Sequence, residues 1–127
     1  PIQSAISGGE RSRVMLSIKK LMAENAELPT LILDEIDTGV SGKVAEEMGN
    51  VMKEMSTNMQ LIVITHLAQV AAKGNNKYKV TKEDISGRTR SNIIPLSEEE
   101  KLQEIAQLLS GSKITDAAIS QAQELMK

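Results

Sequence analysis

Thr30-Leu31-Ile32-Leu33 is a short apolar run that stops abruptly at two adjacent carboxylates, Asp34 and Glu35. Burial of Leu and Ile drives such a run into a core as a strand. The acids then lie at the C-terminal tip of a buried strand, where open α/β sheets place their ligands. A second run, Leu61-Ile62-Val63-Ile64, ends in the same way at Thr65-His66. Its unbroken apolar character suits an interior parallel strand covered on both faces.

The tips of these strands carry the chain's candidate chemistry. One acid is able to hold a metal ion on a phosphate while its neighbour positions or deprotonates a water, which is the Walker B arrangement of a nucleotide triphosphatase. Taken alone, the pair is equally a strand end with solvated acids. His66 is the single histidine. A lone histidine is more often structural than catalytic, but its place just past a strand tip makes it a candidate ligand contact.

A helical pattern precedes the first strand, with Val14, Ile18, Leu21 and Met22 on one face, expected to point into the core. Ser7 and Glu10 have the spacing of a capping box, and Gly8 and Gly9 between them remove side chains from the first turn. Backbone N–H groups and the helix dipole there suit an anion such as phosphate, although an ordinary capped helix gives the same four residues. Arg11 and Arg13 either assist such a site or are solvated. The helix ends near Ala26, before Leu28-Pro29.

Beyond Glu35 comes a polar turn of small residues, Asp37 to Gly42, and then a helix from about Lys43 to Met55. Val44, Met48, Val51, Met52 and Met55 form its core stripe. Leu67 to Ala72 forms a short helix stopped by Gly74-Asn75-Asn76. From Lys77 to Pro95 the pattern alternates around a turn at Asp84 to Gly87, as expected of a hairpin at a sheet edge. Its Lys and Arg residues suit DNA phosphates, but outward Lys on an edge strand is also the common protection against aggregation, the preferred reading. Ser97 opens an acidic first turn on a helix lined by Leu102, Ile105, Leu108 and Leu109. A last helix begins at Thr115 or Asp116, with Ile119, Ala122 and Leu125 inward.

Composition removes several classes of function. A length of 127 residues suits one domain with a real core. The net charge of −2 is wrong for a surface wholly given to nucleic acid, so DNA contact would be local. With no cysteine, disulfides and thiolate metal sites are excluded. One Tyr, with no Phe or Trp, leaves no stacking platform for single-stranded bases. The sequence contains no apolar stretch of membrane-spanning length and no signal peptide. It begins at Pro1, close to its first motif, and is expected to be part of something larger.

Taken in order, Ser7-Gly8-Gly9-Glu10, Leu31 to Glu35, Asp37 to Gly42 and Ile64-Thr65-His66 resemble the second half of an ABC-type ATPase head. In that family they are the signature motif, Walker B, the D-loop and the switch histidine. The resemblance implies ATP and Mg²⁺ as cofactors, with Asp34 helping to hold Mg²⁺, Glu35 polarising the attacking water and His66 contacting the γ-phosphate. It further implies that Ser7, Gly8 and Gly9, with Glu10 beside them, bind the γ-phosphate of ATP held by a second head, and that Asp37 communicates across that interface. The fold implied is the C-terminal lobe of an ABC/SMC-type P-loop ATPase head over residues 1–127, with parallel strands flanked by helices and an edge hairpin.

Transporter ATPases usually carry Gln after the two glycines and Pro-Thr-Ser after the catalytic Glu. Here Glu10 and Ile36-Asp37-Thr38 stand there, as in the SMC-like branch. Asp34 to Gly42, Thr65 to Ala71 and Leu108-Leu109-Ser110-Gly111 are similar to the RecN family of bacterial DNA repair proteins. That resemblance implies recombinational repair of double-strand breaks in the cytoplasm at the nucleoid, a homodimer of heads joined through ATP, DNA as a partner and no membrane. A chromosome-organising SMC head and a transporter subunit are the alternatives. One element of the family is missing: no G-x-x-x-x-G-K-[ST] loop occurs, since Gly39 to Val44 is too short and Val44 has no hydroxyl. The segment alone is therefore expected to be inactive, its partner being the N-terminal half of the same head.

Overall fold

The computed structural model describes residues 8–127. The elements in chain order are α1 (Gly8–Ala26), β1 (Thr30–Asp34), α2 (Gly42–Met55), β2 (Gln60–Ile64), α3 (Ala68–Ala71), β3 (Tyr78–Ile85), β4 (Arg88–Pro95), α4 (Glu98–Ser110) and α5 (Asp116–Leu125). They form two units, one ending at Lys73 and the other spanning Gly74–Lys127.

In the first unit β1 and β2 pair in parallel, Leu33 opposite Val63 and Asp34 opposite Ile64, with α2 as the connection between them. Side chains alternate across a strand, so Leu31, Leu33, Leu61 and Val63 share one face. That face meets Met48, Met52 and Met55 of α2, together with Leu16, Val40, Ala45 and Val70. Burying each large side chain of this cluster contributes about 1.5–3 kcal/mol. The methionine stripe of α2 thus packs as its spacing predicts.

The opposite face of the sheet is open. Ile32 is 59% exposed, and Ile62 and Ile64 are also exposed, so β2 is covered on one face and not on both. The correction extends to α1. Val14, Ile18, Leu21 and Met22 point to solvent, whereas Ser12, Leu16 and Ala23 are buried. The helix carries apolar side chains on more than one side, and the face of smaller residues is the one packed within this unit. Arg13 to Glu47 at 3.4 Å and Lys20 to Glu54 at 3.7 Å join α1 to α2. Both pairs are solvated and contribute little to stability.

Gly49, inside α2, marks a close approach to α3. A Cβ there would lie 3.0 Å from the Gln69 carbonyl oxygen and 3.1 Å from Lys73 Cγ. Only glycine leaves room for this contact.

In the second unit β3 and β4 form an antiparallel hairpin, Tyr78 opposite Pro95 and Ile85 opposite Arg88. Ser86 and Gly87 both have positive φ, 52° and 77°, as a two-residue I′ turn requires. The hairpin is a two-stranded sheet. Lys79 donates to Glu104 of α4 at 2.6 Å. The capping box lies at α4: Glu100 N–H donates to Ser97 Oγ at 3.3 Å and Ser97 N–H to Glu100 Oε1 at 3.0 Å. Thr115 caps α5 by accepting from Ala118 N–H at 3.1 Å. Ile105 and Ala106 of α4 and Ala118 and Ala122 of α5 are buried.

Candidate functional site

Parallel pairing in register brings the ends of β1 and β2 side by side, and with them the acids and the histidine. Glu35 N–H donates to Ile64 C=O at 2.8 Å, extending the ladder one residue beyond Asp34. The backbone then turns sharply: Glu35 has φ 50°, in the left-handed region. A non-glycine residue there costs roughly 1–2 kcal/mol, and such residues persist at sites that the surrounding structure holds in place. Thr38 Oγ1 supports this one by donating to Glu35 C=O at 2.9 Å.

From this turn the Glu35 carboxylate approaches the imidazole, with Oε1 3.8 Å from His66 Nδ1. Both side chains are more than half exposed. Asp34 is exposed beside them, on the same side of the sheet as Ile32 and Ile64. Among the described residues no three acids or histidines gather to cage a metal ion. Magnesium in phosphoryl-transfer sites takes one or two carboxylates and otherwise phosphates and water, and Asp34 as a single exposed acid fits that donor set.

Beneath the tips lies Asp37, 1% exposed. Its Oδ2 accepts a short hydrogen bond from Thr65 Oγ1, and Thr65 Oγ1 accepts from Leu67 N–H at 3.0 Å. Asp37 Oδ1 is buried with no hydrogen-bond partner among the described residues. Enclosed in this way, Asp37 ties the loop after β1 to the loop after β2.

The glycine motif stands on a different element. Ser7 lies outside the described residues, and with it the capping box proposed for Ser7 and Glu10. Gly8, Gly9 and Glu10 form the first turn of α1. A Cβ on Gly9 would meet Val44 Cγ1 at 3.8 Å, an ordinary contact, so packing among the described residues does not demand glycine there.

Thr38 and Thr65 are the site residues that sequence patterns passed over. Thr38 had a readable signal, since a hydroxyl three residues after a turn-forming residue often bonds back to its carbonyl. The hairpin, in contrast, offers no unbroken basic stripe: Lys79 is paired with Glu104, Glu83 stands opposite Arg90, and Asp84 accepts from Thr89 Oγ1 at 2.8 Å.

The fold of this chain is similar to that of SMC head domains. An SMC ATPase described for ATP-driven dimerization and DNA-stimulated activation superposes with TM-score 0.69 over 84% of this chain and 63% of its own, at 24% identity, a likeness of fold. The SMC head domain from Thermotoga maritima superposes with TM-score 0.62 at 33% identity, over 74% of this chain and 34% of its own. In sequence the chain is similar to RecN proteins. It is 39% identical over 126 residues to the DNA repair protein RecN of Haemophilus influenzae and 40% identical to that of Bacillus subtilis, 99% of this chain in both. It spans 23% and 22% of their lengths. No family model matches the chain. No described helix is long and apolar enough to cross a membrane.

Proposed function

We propose that this chain is the C-terminal segment of a RecN-like ATPase head and supplies the hydrolytic side of a composite ATP site in recombinational repair of DNA double-strand breaks. The carrying observation is the juxtaposition of Glu35 and His66 at 3.8 Å on adjacent parallel strand tips, with Asp34 beside them. Similarity over 99% of this chain to a segment of RecN proteins supports the repair role, and with it a place at the nucleoid.

Asp34 would hold Mg²⁺, which when bound neutralises charge on the phosphates. Glu35 is aimed by its left-handed backbone and accepts a hydrogen bond from the attacking water, orienting it. His66 donates from its imidazole to the terminal phosphate, stabilising charge there. Both groups are exposed before nucleotide arrives, and closure by a second copy of the head would exclude water and strengthen their electrostatic contacts. Gly8 and Gly9 at the start of α1, with Glu10 and the Ser7 that precedes them in sequence, would face the nucleotide of that second copy. The similar SMC ATPase dimerizes under ATP, which supports this homodimer.

The open face of Ile32, Ile62 and Ile64 and the apolar stripe of α1 belong against the remainder of the head, which would also bring the phosphate-cradling loop. This segment by itself is accordingly inactive. DNA is a partner of the complete protein.

The test is ATP turnover by a full-length RecN-like protein carrying this segment, wild type beside Glu35→Gln, with ATP-dependent self-association followed in the same samples. Loss of turnover by about 10²–10⁴-fold with association retained is the expected result for removal of a general base. Unchanged turnover would make Glu35 a solvated strand-end acid and remove the hydrolytic role.

A further inference from the structure

The hydroxyl of Thr65 has one proton, and it is given to Asp37 Oδ2. Its lone pairs remain free to accept, and one takes the Leu67 N–H at 3.0 Å. A single oxygen therefore holds the backbone on both sides of His66, which stands between Thr65 and Leu67. The anchor is firm, since Asp37 is fully enclosed and belongs to the loop after β1, the loop that also carries Glu35. Glu35 is itself joined to the end of β2 through Ile64 C=O.

We propose that Thr65 is a positioning residue for His66, fixing the imidazole relative to Glu35 through the Asp37–Thr65–Leu67 relay. The inference rests on the reading of His66 as a phosphate contact. His66 is more than half exposed and has little packing of its own to hold it, so its direction is set by its backbone. Val is nearly the same shape as Thr and lacks the hydroxyl. Thr65→Val would leave Leu67 N–H without its acceptor and the second carboxylate oxygen of Asp37 without its donor, freeing the loop that carries the imidazole. Thr65→Ser keeps both bonds.

The experiment uses the full-length protein with Thr65→Val and Thr65→Ser, each in wild-type and His66→Ala backgrounds, measuring kcat, KM for ATP and amide hydrogen exchange at Leu67. A misplacement near 1 Å costs up to about 10²-fold in rate, so Thr65→Val is expected to lower kcat by about 10–100-fold. KM should stay within about threefold, since a lost transition-state contact acts on kcat. Thr65→Ser should restore kcat, and Thr65→Val should cost nothing further once His66 is Ala. Exchange at Leu67 should accelerate in Thr65→Val and not in Thr65→Ser. Unchanged kcat in Thr65→Val, equal loss in Thr65→Ser, or a loss that persists in the His66→Ala background would overturn the inference. Absence of turnover in the wild type would instead remove the hydrolytic reading; exchange at Leu67 then decides alone, and no change in Thr65→Val overturns the relay.

Discussion

Leu33 and Ile32 are neighbours in β1 with opposite surroundings: Leu33 is fully enclosed by the α2 methionines, and Ile32 is 59% exposed. Their alternation divides the sheet into a face packed against α2 and a face exposed to solvent.

The two positions should therefore respond differently to truncation. In the 127-residue chain, Leu33→Ala is expected to cost about 2–5 kcal/mol by urea titration, and Ile32→Ala less than about 1 kcal/mol. In the full-length protein Ile32→Ala should rise toward the cost of Leu33→Ala. An equally small cost in both contexts would mean that the open face stays open.

Glu35 joins function to a costly backbone conformation. Gly at this position relieves the positive φ at some loss of chain entropy, so Glu35→Gly should leave the melting temperature nearly unchanged while turnover disappears. Glu35→Val should lower the melting temperature by several degrees, because a β-branched residue is poorly accommodated at φ 50°. Equal melting temperatures for the two variants would contradict a left-handed turn held at this residue.

Gly49→Ala offers a test with the opposite sign from helix propensity. Ala is favoured over Gly in a helix interior by about 1 kcal/mol, yet its Cβ would press on the Gln69 carbonyl. The 3.0 Å separation makes the contact tighter than side chains normally tolerate, so chemical denaturation should reveal a net loss of stability. A gain would mean that α3 moves aside without cost.

The α4 cap predicts a pH dependence. Hydrogen bonds from Ser97, backbone first and side chain second, hold the Glu100 carboxyl below its ordinary value of 4.5. Lys101 likewise lowers Glu98, by hydrogen bond and charge. A depressed folded pKa means stability that is present above the ordinary value and lost as pH falls through the lowered one. Glu100→Gln keeps a capping side chain without the charge, so its melting temperature should fall less than that of wild type on acidification below about pH 4.5. Parallel acid profiles would argue against this coupling.

Much of the first unit was legible in the sequence because local pattern and tertiary packing agree there. The runs at Leu31 and Leu61, the acids that end one and the His66 that ends the other, and the methionine stripe of α2 all appear where periodicity puts them. The α1 face was misread because Val14, Ile18, Leu21 and Met22 outweigh Ser12, Leu16 and Ala23 in hydrophobicity, whereas α2 takes the side with the smaller residues. The second covered face of β2 failed for a related reason: an apolar run records what a strand is built to meet, whether or not the same chain provides it. The Asp37–Thr65 bond joins residues 28 apart, and no local spacing announces such a pair.

Tyr78, exposed on β3, is the only Phe, Tyr or Trp side chain in the sequence. Near-ultraviolet absorbance and intrinsic emission from this segment thus originate wholly in the hairpin unit, and Glu35 and His66 are optically silent. A melt followed by that signal tracks the hairpin alone, while backbone dichroism reports both units. A single Trp introduced at Ile62 on the open sheet face would emit on a dark background, shifting to shorter wavelength whenever that face becomes covered.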